Sequence, residues 1–170
     1  YLANSSALKI GITRIVNMPT RWLDQGATQA LPILKVGSRR LSGHLETLIG
    51  TQIADKTDWR KLLKGEAEPL NLIEQRDQIL EEFAPKIQMI RDEFSQNLEF
   101  NEELEFLEHE LPKEFIYPVE QYPEKIKSFN LDKTPKIRGL LHGIKGHYLL
   151  LHTGVINIRK YTGYELILRT

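Results

Sequence analysis

The chain contains no cysteine. That excludes disulfides and thiolate metal sites within it, so any metal would need carboxylate or histidine ligands. The same absence suits a reducing, cytoplasmic compartment. No uninterrupted apolar run reaches the roughly 18 residues of a membrane span, so no membrane partner is expected. No charged-then-apolar signal segment opens the sequence, which starts at Tyr1 rather than methionine and reads as a mature or trimmed fragment. Low-complexity tracts are missing too, and "HTGVINIRKYTGYELIL" holds only a loose two-copy echo. Net charge is also absent, with 23 basic residues against 23 acidic ones.

That zero conceals a strong asymmetry. Residues 1–64 carry ten Lys/Arg against four Asp/Glu, residues 65–132 six against eighteen, and residues 133–170 seven against one. Two basic segments therefore flank an acidic one. Two readings stand. The acidic middle solvates a long helix and pairs with the basic ends, or the basic ends share an anionic partner. With 170 residues, 41% apolar and 27% charged, the chain has ordinary globular composition and enough length to bury a core.

"YLA" and "LKIGIT" read as strands of a hairpin joined by "NSSA". "NMPTRWLDQGA" predicts a helix with Asn17 as N-cap, Pro19 in the first turn and a stop near Gly26. "LPILKVG" (31–37) reads as a third strand. Ser38 is a second N-cap, followed by an apolar stripe at Leu41, Leu45, Leu48, Ile49 and Ile53, with Glu46 at its border. A loop or short helix closes this unit near Gly65. From 70 to 98 the apolar residues follow the helical period, with Pro85 predicting a kink or two shorter helices. "KEFIYPVEQYP" reads as an edge strand, and the glycine-punctuated tail as several short antiparallel strands with turns at "HTG" and "YTG". Tyr148 and Tyr164 are expected in the core. The fold class is thus α+β. A β-β-α-β-α unit (1–65) is followed by an acidic helical connector (66–112) and a β-rich antiparallel C-terminal module (113–170).

Tyr1, Lys9, Arg14, Arg21, His44 and Glu46 all belong to the first unit, where a hairpin end and two helices can meet in one cleft. Arginine suits phosphate because its planar fork donates two parallel charge-assisted hydrogen bonds. One carboxylate with waters and substrate oxygens suits Mg²⁺, and Tyr1, Lys9 or His44 would serve as base if its pKa were lowered. On composition alone the same residues also read as solvated surface charges. In the tail, Lys145, His147, Arg159, Lys160 and Tyr161 interleave basic and aromatic groups, a pattern that suits a phosphate backbone with stacked bases.

"YLANSSALKIGIT", "PTRW" and "GHLETLIGTQI" together resemble the core of the GIY-YIG nuclease superfamily. The resemblance covers residues 1–65 and implies a catalytic role for Tyr1, for Lys9 within Lys9-Ile10-Gly11, and for Arg21. It also implies that Glu46 holds a metal, Mg²⁺ or Mn²⁺. Lys9 stands where that superfamily has tyrosine, and only Asp58 and Asn71 loosely match its late asparagine. More closely, "PTRWLDQGA", "DKTDWRKLL" and "GIKGHYLLLHTGVINIRKYTGY" resemble a bacterial domain-of-unknown-function family, number 2797, over nearly the whole chain. That likeness implies a cysteine-rich, zinc-binding segment upstream of Tyr1.

The expected function is therefore DNA or RNA binding with metal-dependent phosphodiester cleavage. Arg21 would stabilise charge on the scissile phosphate, Tyr1, His44 or Lys9 would handle the attacking water, and Arg14 and Arg39 would anchor the backbone. One alternative is a non-catalytic nucleic-acid-binding adaptor that keeps the fold. A third reading is a protein-interaction module whose acidic connector (66–124) docks a basic partner, in contacts sensitive to charge reversal near Glu102–Glu110. The residues leave the oligomeric state open.

Overall fold

A computed structural model describes residues 1–53, 58–96 and 103–169. Two strands, β1 (Leu2–Asn4) and β2 (Leu8–Ile10), form the expected hairpin, with Leu2 opposite Ile10 and Asn4 opposite Leu8. Strand alternation gives this ribbon two working faces. Leu2, Leu8 and Ile10 turn toward the main core, whereas Tyr1 and Ala3 turn toward a second cluster built on Trp22. Helix α1 (Thr20–Asp24) follows a 3₁₀ turn over Ile15–Asn17. Asn17 closes that turn instead of capping the helix, whose N-cap is Pro19. The predicted stop is present, because Gly26 takes a left-handed φ of 69° just past the helix end.

The strand expected over 31–37 is two strands. Pro32 has no N–H to give to a ladder, and the chain changes partners across it. β3 (Gln29–Leu31) pairs antiparallel with β1, while β4 (Leu34–Val36) pairs with β5 (Leu104–Phe106) in a separate two-stranded sheet. The edge strand expected after Pro112 is β6 (Lys113–Glu114), which lies against β3 and completes a sheet in the order β2-β1-β3-β6.

Helix α2 (Arg39–Gly50) starts where predicted, with the Ser38 hydroxyl accepting from Leu41 N at 3.1 Å. Its Leu41, Leu45 and Ile49 are buried against the sheet and against α4 (Leu72–Ser95). That long helix is continuous through Pro85 and does not divide in two. Its buried face runs Leu72, Ile79, Leu80, Phe83, Ile87 and Phe94; the predicted position at 98 lies outside the described residues. The helix is therefore one wall of the core shared with β1, β3 and α2. The stretch expected to continue as helical connector holds β5 instead. Asp58 and Asn71 cap helices: Asp58 starts α3 (Trp59–Lys64), and Asn71 accepts from Glu74 N at 3.2 Å.

The tail forms a meander of β7 (Leu141–Lys145), β8 (Tyr148–Leu151) and β9 (Gly154–Asn157). "HTG" makes the β8–β9 turn, whereas "YTG" follows a 3₁₀ turn (Ile158–Tyr161) and joins no strands among the described residues. Leu150 and Val155 pack on Leu62 and Leu63 of α3. Tyr148 stacks on Trp59 with centroids 6.4 Å apart, but Tyr164 is exposed and donates to Asp132 Oδ1 at 2.8 Å. The α+β expectation stands. Among the described residues, no helix is long and apolar enough to cross a membrane.

Candidate functional site

The hairpin ladder runs one pair beyond its regular strands. Gly11 N donates to Tyr1 O at 3.0 Å, and the Tyr1 amino nitrogen donates to Gly11 O at 3.0 Å. This pairing lays the Tyr1 ring across Gly11. A Cβ at position 11 would sit 2.7 Å from the Tyr1 hydroxyl and 2.8 Å from Cζ. Gly11 is not among the positive-φ glycines, so what it supplies is space, and that space is filled by Tyr1.

Helix α1 crosses the far side of the same ring. Trp22 is buried and meets Tyr1 edge-on at 5.8 Å. Arg21 and Gln25 stand one helical turn apart, the spacing that puts two side chains on one face. Gln25 reaches the Tyr1 hydroxyl through its amide nitrogen at 3.0 Å, and the Arg21 charge acts on the same phenol. Burial raises the phenol's pKa above its ordinary 10, with Gln25 and then Arg21 opposing that rise and the Glu46 charge adding to it. Tyr1 is therefore protonated at neutral pH. Its hydroxyl accepts from the Gln25 amide and keeps a proton to donate. Gln25 was not singled out from sequence, although its spacing from Arg21 on a predicted helix was the available signal.

Glu46 arrives from α2. It is half-buried and lines a small cleft of about 40 Å³ together with Tyr1, Gly11 and Ser42. A water takes about 30 Å³ in the liquid, so the cleft has room for little more than one, and Ile10, Ile12, Ile33, Leu34, Val36, Leu45 and Ile49 make most of its lining aliphatic. No three His, Asp or Glu side chains converge anywhere among the described residues. Glu46 is the one carboxylate among the residues that line the cleft, so an ion held there would have to take nearly all its ligands from water and phosphate oxygen. Lys9 pairs with Ala3 and so falls on the Tyr1–Trp22 face of the sheet. His44 does not join the site, since its exposed ring sits edge-on to Phe94 of α4 at 5.2 Å.

The outlying candidates divide. Arg14, at the head of the first 3₁₀ turn, and Arg39, at the first residue of α2, are both exposed on the unit that carries the cleft. Arg159 and Lys160 are exposed, and Arg159 donates to His147 Nε2 at 3.0 Å. Lys145 and Tyr161 are not surface residues. Lys145 is only 1% exposed and sits between the rings of Tyr117 and Tyr122, at 5.4 and 5.2 Å. The Tyr161 hydroxyl, also buried, accepts from Leu131 N at 2.9 Å. Neither is available to stack on a base or meet a phosphate.

No curated protein and no solved structure matches the chain significantly. The family profile described as "Protein of unknown function (DUF2797)" matches residues 1–166 and spans both the cleft and the C-terminal meander. The chain belongs to the DUF2797 family.

Proposed function

We propose that the protein binds nucleic acid and hydrolyses a phosphodiester bond at the Tyr1–Glu46 cleft. One observation carries the reading: the Tyr1 phenol, at one end of the hairpin, meets the Gln25 amide and feels the charges of Arg21 from α1 and Glu46 from α2. In this reading Arg21 holds the scissile phosphate and stabilises the charge that develops on it. The Tyr1 proton, fixed by Gln25, orients a water on the phosphate. Glu46 is the residue that would hold Mg²⁺ or Mn²⁺, an ion that neutralises phosphate charge and acidifies a bound water. Arg14 and Arg39 extend the contact along the backbone, which makes binding fall with added salt.

The test incubates the protein with nicked, branched, plasmid and RNA substrates in Mg²⁺ or Mn²⁺. Arg21→Ala and Glu46→Ala should each abolish cleavage while leaving salt-sensitive binding, and cleavage that survives Glu46→Ala refutes the assignment. A second reading, binding without turnover, is favoured by the enclosure of Tyr1, which is 8% exposed. It predicts the same binding with no cleavage in any metal.

A further inference from the structure

Between β2, whose Ile10 lines the cleft, and α1, which carries Arg21, the chain presents an apolar tip to water. Ile15 is 61% exposed and Val16 86%, although both are branched aliphatic residues that fold most readily into a core. The turn that bears them is held in place. Asn17 N donates to Arg14 O at 2.9 Å, and Met18 N donates to Ile15 O at 3.1 Å. On one side Gly11 is locked to Tyr1, and on the other Met18 packs into the Tyr1–Trp22 cluster. β-branched side chains have little rotamer freedom left to lose on insertion.

Other aliphatic side chains are exposed, Ile116 among them, but Ile15 and Val16 belong to the link between β2 and α1. Ile15 lies four Cα steps from Gly11, so the two Cα atoms are at most about 14 Å apart, about four base steps at 3.4 Å each. Arg14, exposed and adjacent in sequence, gives the tip a cationic flank. An apolar point beside an arginine suits a polyanion with an apolar interior reached only by unstacking.

We propose that Ile15 and Val16 form a wedge that enters an unstacked base step of a duplex while the cleft holds a neighbouring phosphate. The substrate class is then duplex nucleic acid with a weak step, such as a nick, a mismatch or a pyrimidine–purine junction. This rests on the nucleic-acid reading above and concerns binding, so cleavage is not needed to test it.

The probe is a set of duplexes carrying 2-aminopurine beside a nick or a TA step, with fully stacked controls, titrated without divalent metal. The parent protein should raise the fluorescence of the weak-step duplexes several-fold and prefer them to the controls. An Ile15→Ser/Val16→Ser double variant should lose the fluorescence rise and bind those duplexes at least tenfold more weakly, roughly the worth of burying one such side chain. Both positions are exposed, so folding, checked by circular dichroism, should be unchanged. Binding without any fluorescence rise, or a double variant that unstacks as well as the parent, overturns the wedge and leaves the nucleic-acid reading standing. No binding to any duplex or single strand at low salt overturns both. Self-association of the parent that the double variant abolishes, without unstacking, also overturns the wedge and assigns the tip to a contact between copies.

Discussion

Replacing Gly11 with alanine tests the geometry of the cleft directly. The new Cβ would lie 2.7 Å from the Tyr1 hydroxyl oxygen, 2.8 Å from Cζ and 3.3 Å from Cε2, against an ordinary contact of about 3.5–4.0 Å. The ring must therefore move by most of an ångström. It cannot simply retreat, because Trp22 meets it edge-on at 5.8 Å and the Gln25 amide holds its hydroxyl at 3.0 Å. Overpacking of this kind costs about 1–3 kcal/mol, and loss of the Gln25 hydrogen bond adds about 1 kcal/mol. Replacing glycine in a strand-like position returns a few tenths of that. The net loss should be about 2 kcal/mol, a fall in Tm of roughly 4–8 °C for a chain this size. A double-mutant cycle isolates the cause. In a Tyr1→Ala background the ring is gone, and Gly11→Ala should then be neutral or slightly stabilising. The reasoning is refuted if Gly11→Ala costs as much without the ring as with it, or if it leaves Tm unchanged in the parent.

The buried amine gives a second prediction. Burial lowers the Lys145 pKa below its ordinary 10.5, so the unfolded chain holds that proton more tightly and the folded state is penalised below the folded pKa. Lys145→Met keeps the packed stem without the charge. It should be at least as stable as the parent at pH 7 in urea unfolding, with the difference shrinking as pH rises toward 10.5. Lys145→Ala leaves a cavity between the two tyrosines and should cost about 2–4 kcal/mol. A third concerns Tyr117, whose hydroxyl donates to Ala27 O at 2.9 Å and lies 3.2 Å from Leu23 O. Burial, and then the charges of Tyr122 and Asp24, push its phenol well above 10. Its contribution is complete below pH 10 and is lost as pH climbs through the raised value. Tyr117→Phe should cost about 1–3 kcal/mol at pH 7 and flatten the alkaline fall in stability measured between pH 9 and 11.

Local patterns exposed most of the local structure. The α2 stripe, the Ser38 cap and the Gly26 stop each follow from side-chain spacing or backbone preference within one or two turns, and each is present. Pairing between distant segments was not legible. Nothing within "LPILKVG" indicates that its second half pairs with residues 104–106 while its first half pairs with β1. Lys145 was misplaced for a related reason. The two-residue turn at Gly146–His147 sets a register that puts Lys145 opposite Tyr148, on the same face as Leu150, and a slip of one residue would turn it to the other face. For the site, the resemblance supplied Tyr1, Arg21 and Glu46. Helix geometry alone argues against His44, because two residues along an α-helix turn a side chain through about 200°, away from the Glu46 side.

The last strand of the first sheet, β6 at Lys113–Glu114, has a consequence for how the protein comes into being. The hairpin at the cleft leaves the ribosome well before the strand that completes its sheet, since β6 lies at residues 113–114. Until then β3 has a bare edge, and α4, which closes the core beneath β1 and β3, is also incomplete. Pairings of this sequence separation form late, because chain closure must come before the contacts that reward it. The sheet behind the cleft is therefore complete only when the acidic middle of the chain has been synthesised and docked. A ribosome-bound chain stopped at Gly65 would have every residue of the cleft but neither β6 nor α4 behind it.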